Sequence, residues 1–261
     1  MDAETAARLI EINREFYTRF GDSFSATRHR IQPGVRRVLE MLRGDESILD
    51  LGCGNGELAR ELAKRGHRGS YLGVDFSRPL LLDAGSIPEG FPAKFIQADL
   101  TSDNLVDVVA SHREAATRPE ISSVALPPRN DIFDIVFCFA VLHHIPSDDI
   151  RLNILKSIRG LLADNGKFIH SNWQFLNSEK LKMRIKPWQD AAVQTSNVDA
   201  GDYLLDWRSG GEGLRYVHHF SESELSSLAG AAGFVIGETF YSDGVSGNLG
   251  LYQIWEVDPS G

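Results

Sequence analysis

The run Asp50-Leu51-Gly52-Cys53-Gly54-Asn55-Gly56 places glycines at alternate positions. Glycine accepts positive φ and lets a ligand approach the main chain, so such a turn between a strand and a helix is a natural ligand seat. The spacing is G-x-G-x-G, not the G-x-G-x-x-G of a dinucleotide site, and Glu57 stands where that pattern has its third glycine. A carboxylate at the helix N-terminus repels a pyrophosphate. The turn therefore suits a nucleoside without phosphates, contacted by Asp50, Gly52, Cys53, Gly54, Asn55 and Gly56. Asp75, 25 residues beyond Asp50, is expected at the end of the next strand, where an acid accepts both ribose hydroxyls. Asp99 is placed to receive an adenine amino group, with Phe76 and Leu100 flanking the ring.

Other residues carry chemistry less specifically. The run from Phe139 to Pro146 leaves the fourth expected strand, and its His143 and His144 are either a general base or part of the pocket wall. Consecutive side chains diverge in a strand and no carboxylate completes a triad, so no metal is expected there. Cys138 reads as a core thiol and Cys53 as a small loop residue.

These groups must be held by a regular frame, and the hydrophobic periodicity supplies one. Leu9, Ile12, Phe16 and Phe20 form one stripe of an opening helix that Gly21-Asp22 should break. A second helix is expected from Pro33 to Gly44, after a polar loop over 24–30. Strands are predicted at 47–51, 71–74, 93–97, 132–142 and 167–173. Helices are predicted after the glycine turn to about 65, over 77–84, 105–110 and 148–162, the last capped by Ser147. Ser221 and Glu224 read as a capping box before a final helix, and two closing strands follow at 234–241 and 251–257. Strands alternating with helices imply an α/β, doubly wound, mostly parallel sheet. Residues 1–44 form a helical extension, 45–173 the core, 174–219 a polar, irregular insert serving as lid or substrate platform, and 220–261 return to the core. The segment 101–131 is long for one connection and should hold an exposed loop around Pro127-Pro128.

Composition sets the outer bounds. The chain has 261 residues, 42% hydrophobic and 24% charged, as in ordinary globular proteins. It has no long apolar run, no leader-like start and only two cysteines, which together point to a protein of the cytoplasm without a membrane span or disulfide scaffold. The net charge of −9 argues against broad nucleic-acid binding. Two basic tracts stand out locally. Seven arginines between Arg14 and Arg43 face Glu15, Asp22 and Glu40, and Lys180, Lys182, Arg184 and Lys186 form a second cluster. They are either solvated faces or a rim that reads RNA phosphates.

The glycine turn, Asp75, Asp99 and the strand Phe133-Asp134-Ile135-Val136, in this order, resemble the class I S-adenosylmethionine-dependent methyltransferases. That resemblance implies S-adenosyl-L-methionine as cofactor, Phe139 beside the methyl donor, and a seven-stranded Rossmann-like sheet with one reversed edge strand. A narrower resemblance rests on Phe24-Ser25-x-Thr27-Arg28 with Pro33, Asp202-Tyr203-Leu204-Leu205-Asp206-Trp207, and Arg215-Tyr216-Val217-His218-His219-Phe220. Together these look like the tRNA wobble-uridine carboxymethyl methyltransferases. Gly34 and Asp206 depart from that family's aromatic and proline. The resemblance implies Arg28, Arg215 and His218 around the acceptor, Tyr216 and Trp207 more weakly, and tRNA or a small carboxylate as substrate. A carboxylate is already ionised at neutral pH and needs a cation to hold it, not a base to activate it. The alternatives are a small-molecule O- or N-methyltransferase, in which His143, His144 or His218 matters more, and a cofactor-binding subunit without turnover.

Overall fold

The computed structural model describes residues 1–26, 30–84, 87–117, 133–209 and 211–259. Its centre is a seven-stranded sheet built from β1 (Ile48–Leu51), β2 (Tyr71–Asp75), β3 (Ala93–Gln97), β4 (Phe133–Phe139), β5 (Leu162–Trp173), β9 (Phe234–Ser242) and β10 (Gly250–Val257), ordered β3-β2-β1-β4-β5-β10-β9. The first five are parallel, and β10 runs antiparallel to both neighbours. The reversed strand is thus second from the edge, and β9 closes the sheet. Strands β1 and β2 are buried throughout, as central parallel strands must be. Helices α3 (Glu57–Lys64), α4 (Arg78–Ala84), α5 (Leu105–Thr117), α6 (Asp148–Leu161) and α8 (Glu222–Ala231) alternate with the strands, and α2 (Pro33–Leu39) precedes them.

The opening helix α1 runs Ala3–Ala26, straight through Gly21-Asp22. Asp2 caps it by accepting the Thr5 amide at 2.7 Å. What overrides the local break is tertiary packing. Leu9, Ile12, Phe16 and Phe20 are all buried, each worth about 1.5–3 kcal/mol against solvent. They lie on the insert, which is more regular than its composition implied. Strands β6 (Ile185–Lys186), β7 (Asp202–Trp207) and β8 (Gly213–His218), preceded by the short α7 (Glu179–Lys182), make a separate antiparallel sheet. Leu9 and Ile12 share a core with Trp188, Leu204 and Tyr216 of that insert.

Several boundaries differ from the sequence reading. Helix α2 stops at Leu39, before Gly44. Helix α5 extends seven residues beyond Ala110, and the Pro127-Pro128 loop lies outside the described residues. Ser147 does not cap α6 with its side chain. Its backbone is left-handed at φ 67°, and only its carbonyl serves, accepting the Arg151 amide. Strand β4 ends at Phe139 and a 3-10 turn, Leu142–His144, follows. His143 and His144 therefore do not diverge as strand neighbours would; their ring centroids are 4.3 Å apart. Among the described residues no helix is long and apolar enough to cross a membrane.

Candidate active site

A cavity of about 290 Å3 opens at the carboxyl ends of β1, β2, β3 and β4, where an open α/β sheet binds ligands. Its floor is the glycine turn. Gly52 and Cys53 donate to the Val74 carbonyl at 2.7 and 3.1 Å, which draws the turn across the end of β2. The backbone is left-handed at Gly52, with φ +72°, and a Cβ there would lie 2.2 Å from a Val141 methyl. At Gly54, φ +55°, a Cβ would meet nothing within 4 Å, so the missing side chain leaves open room at the cavity wall. Gly56 N-caps α3 with φ 76° and does not line the cavity.

Asp75 closes the turn from the side. Its Oδ2 accepts the Gly54 amide at 2.9 Å and its Oδ1 the Ser77 amide at 2.8 Å, each oxygen keeping a lone pair for a diol. Burial raises its pKa despite those bonds. Asp50 lies deeper, with the Tyr71 phenol donating to it. Burial pushes its carboxyl up to about 7, against the Tyr71 bond and helped by the charge of Asp75. Asp99 goes the other way. Burial works against its charge, but the Thr101 hydroxyl and amide at 2.6 and 2.9 Å and the Arg14 guanidinium outweigh it and hold the carboxyl below its usual range. Phe76, Leu100 and Phe139 complete the apolar wall.

The wall carries four acidic side chains, those of Asp50, Glu57, Asp75 and Asp99, against two basic ones, Arg30 and the Arg14 paired with Asp99. Such a wall repels phosphates and accepts a cationic nucleoside, which is what S-adenosylmethionine is; together with the vacancy at Gly54 it fits that cofactor. Asp50, Gly52, Cys53, Gly54, Asn55, Asp75, Phe76, Asp99, Leu100 and Phe139 meet around the one cavity. Both thiols, Cys53 and Cys138, are buried, and burial raises their pKa, that of Cys138 to about 12.

The raised Asp50 carboxyl makes a pH-dependent expectation. Between pH 6 and pH 8 this group gains its charge, so affinity for the sulfonium cofactor should rise relative to S-adenosylhomocysteine, which lacks that charge. A partly screened attraction of about 1.4 kcal/mol gives about tenfold. Titration calorimetry of both ligands across that range checks it, and Asp50→Asn should flatten the ratio. In the free protein the sign is opposite. A carboxyl raised from about 4 favours folding below that value, and the contribution is lost as pH climbs through 7.

The acceptor candidates are dispersed. Arg28 lies outside the described residues. Arg215, on β8, is 7% exposed, with its guanidinium 5.3 Å from the Phe16 ring and 4.9 Å from that of Trp173. Burial lowers its pKa, opposed by a hydrogen bond with Tyr17. Tyr17 lines the cavity and also bonds to His144 Nε2 at 2.9 Å; His144 Nδ1 faces the Tyr216 carbonyl at 3.2 Å. That carbonyl requires the proton on Nδ1, so Tyr17 donates to Nε2. His144 lines the cavity, and His143 does not: it is buried, its Nδ1 accepting the Trp173 amide at 3.3 Å. His218 stands away from the cavity, its ring nitrogens 2.7 Å from Asp202 and 2.6 Å from Glu224. Tyr216 is buried with it, donating to Asp202 at 2.7 Å. Trp207 lies edge-on to Phe16 at 5.3 Å. Tyr17, Arg14 and Asn13 carry no local motif and were not expected at the site; all three lie on the side of α1 that lines the cavity.

A family model described as a methyltransferase domain matches residues 24–239. A methyltransferase of Encephalitozoon cuniculi is 28% identical over 227 residues, 85% of this chain and 86% of that protein. A tRNA (carboxymethyluridine(34)-5-O)-methyltransferase of Macaca fascicularis is 28% identical over 183 residues, 69% of this chain but 23% of that longer protein. A crystal structure of a Methanosarcina mazei S-adenosylmethionine-dependent methyltransferase shares the fold, with TM-score 0.59 and 21% identity over 87% of this chain and 98% of that one. With that match running through the glycine turn and the strands that frame the cavity, the chain belongs to the methyltransferase-domain family and is an S-adenosylmethionine-dependent methyltransferase.

Proposed function

We propose that the acceptor is a carboxylate, and that it is the carboxymethyl group of a modified tRNA wobble uridine. The observation that carries the reading is Arg215, a guanidinium buried between two aromatic rings and joined to the cavity wall by Tyr17. A buried cation beside a cavity holds an anionic acceptor far better than a surface one. Bound S-adenosylmethionine supplies an electrophilic methyl on its sulfonium. An ionised carboxylate oxygen can attack it with no proton to remove, so the protein's work is orientation and exclusion of water. Asp75 would hold the ribose, Asp99 the adenine end, and the insert sheet with α1 would form the acceptor platform. The names of relatives such as the macaque enzyme support the tRNA assignment.

The second reading is a small-molecule O- or N-methyltransferase. It rests on His144, which lines the cavity with its Nε2 on the Tyr17 hydroxyl and would act as a general base through that hydroxyl. Incubation with tritiated S-adenosylmethionine and tRNA bearing unesterified carboxymethyluridine separates the two. Label in tRNA that mild base releases is the expected result. Label confined to a small acceptor would transfer the site to the second reading, and base-stable label in tRNA would overturn the ester.

A further inference from the structure

Asp99 has a partner outside the core. Arg14 of α1 donates through Nε and Nη2 to Asp99 Oδ2, at 2.8 and 2.7 Å, across 85 residues of sequence. Both side chains line the cofactor cavity, with 40% and 23% exposure. The neighbouring Asn13 ties the same stretch of helix to the far side, donating to the His144 carbonyl at 2.9 Å and accepting the Tyr216 amide at 2.9 Å. Tyr17, one turn on, lies edge-on to Phe76 with centroids 5.8 Å apart. Helix α1 thus crosses the mouth of the cavity, pinned at its Tyr216 side by uncharged bonds and at its Asp99 side by one ion pair.

We infer that Arg14 is a cofactor-positioning residue: its ion pair with Asp99 clasps α1 over the adenine end of the cavity and sets how fast the cofactor leaves. The inference rests on the reading of Asp99 at the adenine end. The pair is the part of the α1 attachment suited to opening. Its half-exposed charges regain water when they separate, whereas the buried Asn13 bonds would be left unmet. Asp99 also keeps its charge when the clasp opens, because Thr101 still bonds to Oδ1. The clasp does not distinguish the two cofactor forms, since both carry adenine.

The test is the release of pre-bound tritiated S-adenosylhomocysteine into excess unlabelled S-adenosylmethionine. Loss of one half-exposed ion pair, Arg14→Gln, should speed release about fivefold, with affinities for both ligands falling alike. Arg14→Lys should recover part of the effect, and high salt should narrow the gap between wild type and Arg14→Gln. Glu11→Gln, which removes only the 3.7 Å neighbour of Arg14, should release at the wild-type rate. In an Asp99→Asn background, Arg14→Gln should add less than about twofold, because the interaction it removes is already gone. A merely structural Arg14 would change thermal stability without this dependence on Asp99. If wild type binds ligand and Arg14→Gln releases it no faster, or if the full effect persists in Asp99→Asn, the clasp is wrong. Wild type that takes up no S-adenosylhomocysteine would overturn the cofactor geometry, and the clasp with it.

Discussion

Arg215→Ala should lower turnover by about 10²- to 10³-fold, the equivalent of about 3–4 kcal/mol of lost anion stabilisation in a dry site, while cofactor affinity changes little. The split follows from position. Arg215 does not line the cofactor cavity, and its guanidinium lies between Phe16 and Trp173, at the junction of α1, the insert and the end of β5. Single-turnover methylation reads the loss of turnover and calorimetry with S-adenosylhomocysteine reads the cofactor affinity. Since the truncation also leaves a hole between two rings, Arg215→Lys serves as the companion variant. It keeps a cation but loses the planar fork and the stacking, and should fall between wild type and alanine. Full activity in both variants would remove the anion-holder idea and leave His144 as the residue to examine. Loss of cofactor binding in Arg215→Ala would instead show that the aromatic sandwich supports α1.

Local pattern exposed the frame of this molecule and hid its closures. Strands β1, β2 and β4 are short apolar runs bounded by turn residues, and β3 lies between turn residues with one apolar face, so periodicity alone locates them near Ile48, Tyr71, Phe133 and Ala93. The glycine turn was legible because positive φ at Gly52 and Gly54 is written into residue type. The place of the reversed strand was not. Whether β9 or β10 pairs with β5 depends on the long-range register of Gly250–Glu256 against Lys167–Trp173, and a hairpin reads the same either way. Gly21 failed as a helix stop because a buried face extending from Leu9 to Phe20 outweighs about 1 kcal/mol of propensity.

The site divides along the same line. Residues on strand ends came together as expected, since each strand delivers its own acid to one edge of the sheet. Contacts made by α1 were invisible: Arg14 is one of seven arginines in its tract, and its partner lies 85 positions away. Glu224 shows how a correct local motif can hide a different use. Ser221 Oγ does accept the Glu224 amide at 3.2 Å, but the carboxylate, expected to close the capping box, reaches His218 instead. The substrate-pocket role implied for His218 came with the run 215–220; the structure puts Tyr216 and His218 of that run in a buried polar network and leaves Arg215 beside Tyr17.

That network makes the second large effect one of stability. Arg151 is fully buried, donating to the Ile145 carbonyl at 2.8 Å, to Asp148 at 2.7 Å and to the Tyr216 hydroxyl at 2.9 Å, with Asp202 and Glu224 at 3.8 and 3.9 Å. It joins α6 of the core to β7, β8 and α8, so one guanidinium ties the insert to the core beside the His144–Tyr216 bond and the apolar face of α1. Arg151→Met keeps most of the volume and removes the charge, leaving Asp202 and Glu224 with only His218 to offset them. Breaking a buried pair from one side costs about 3–5 kcal/mol, so the denaturant midpoint should drop sharply. His218 then supplies a directional check. Burial opposes its protonation, but Asp202 and Glu224 outweigh burial and raise its pKa above 6.5. The stabilisation from the imidazolium is therefore full below pH 6.5 and lost as pH rises through the raised value. Removing Arg151 takes away a repelling cation, so the same loss should move to higher pH in Arg151→Met. Urea unfolding of both proteins from pH 5 to pH 9 measures depth and position together. A variant as stable as wild type with an unmoved pH profile would mean that the Arg151 network does not hold the insert to the core.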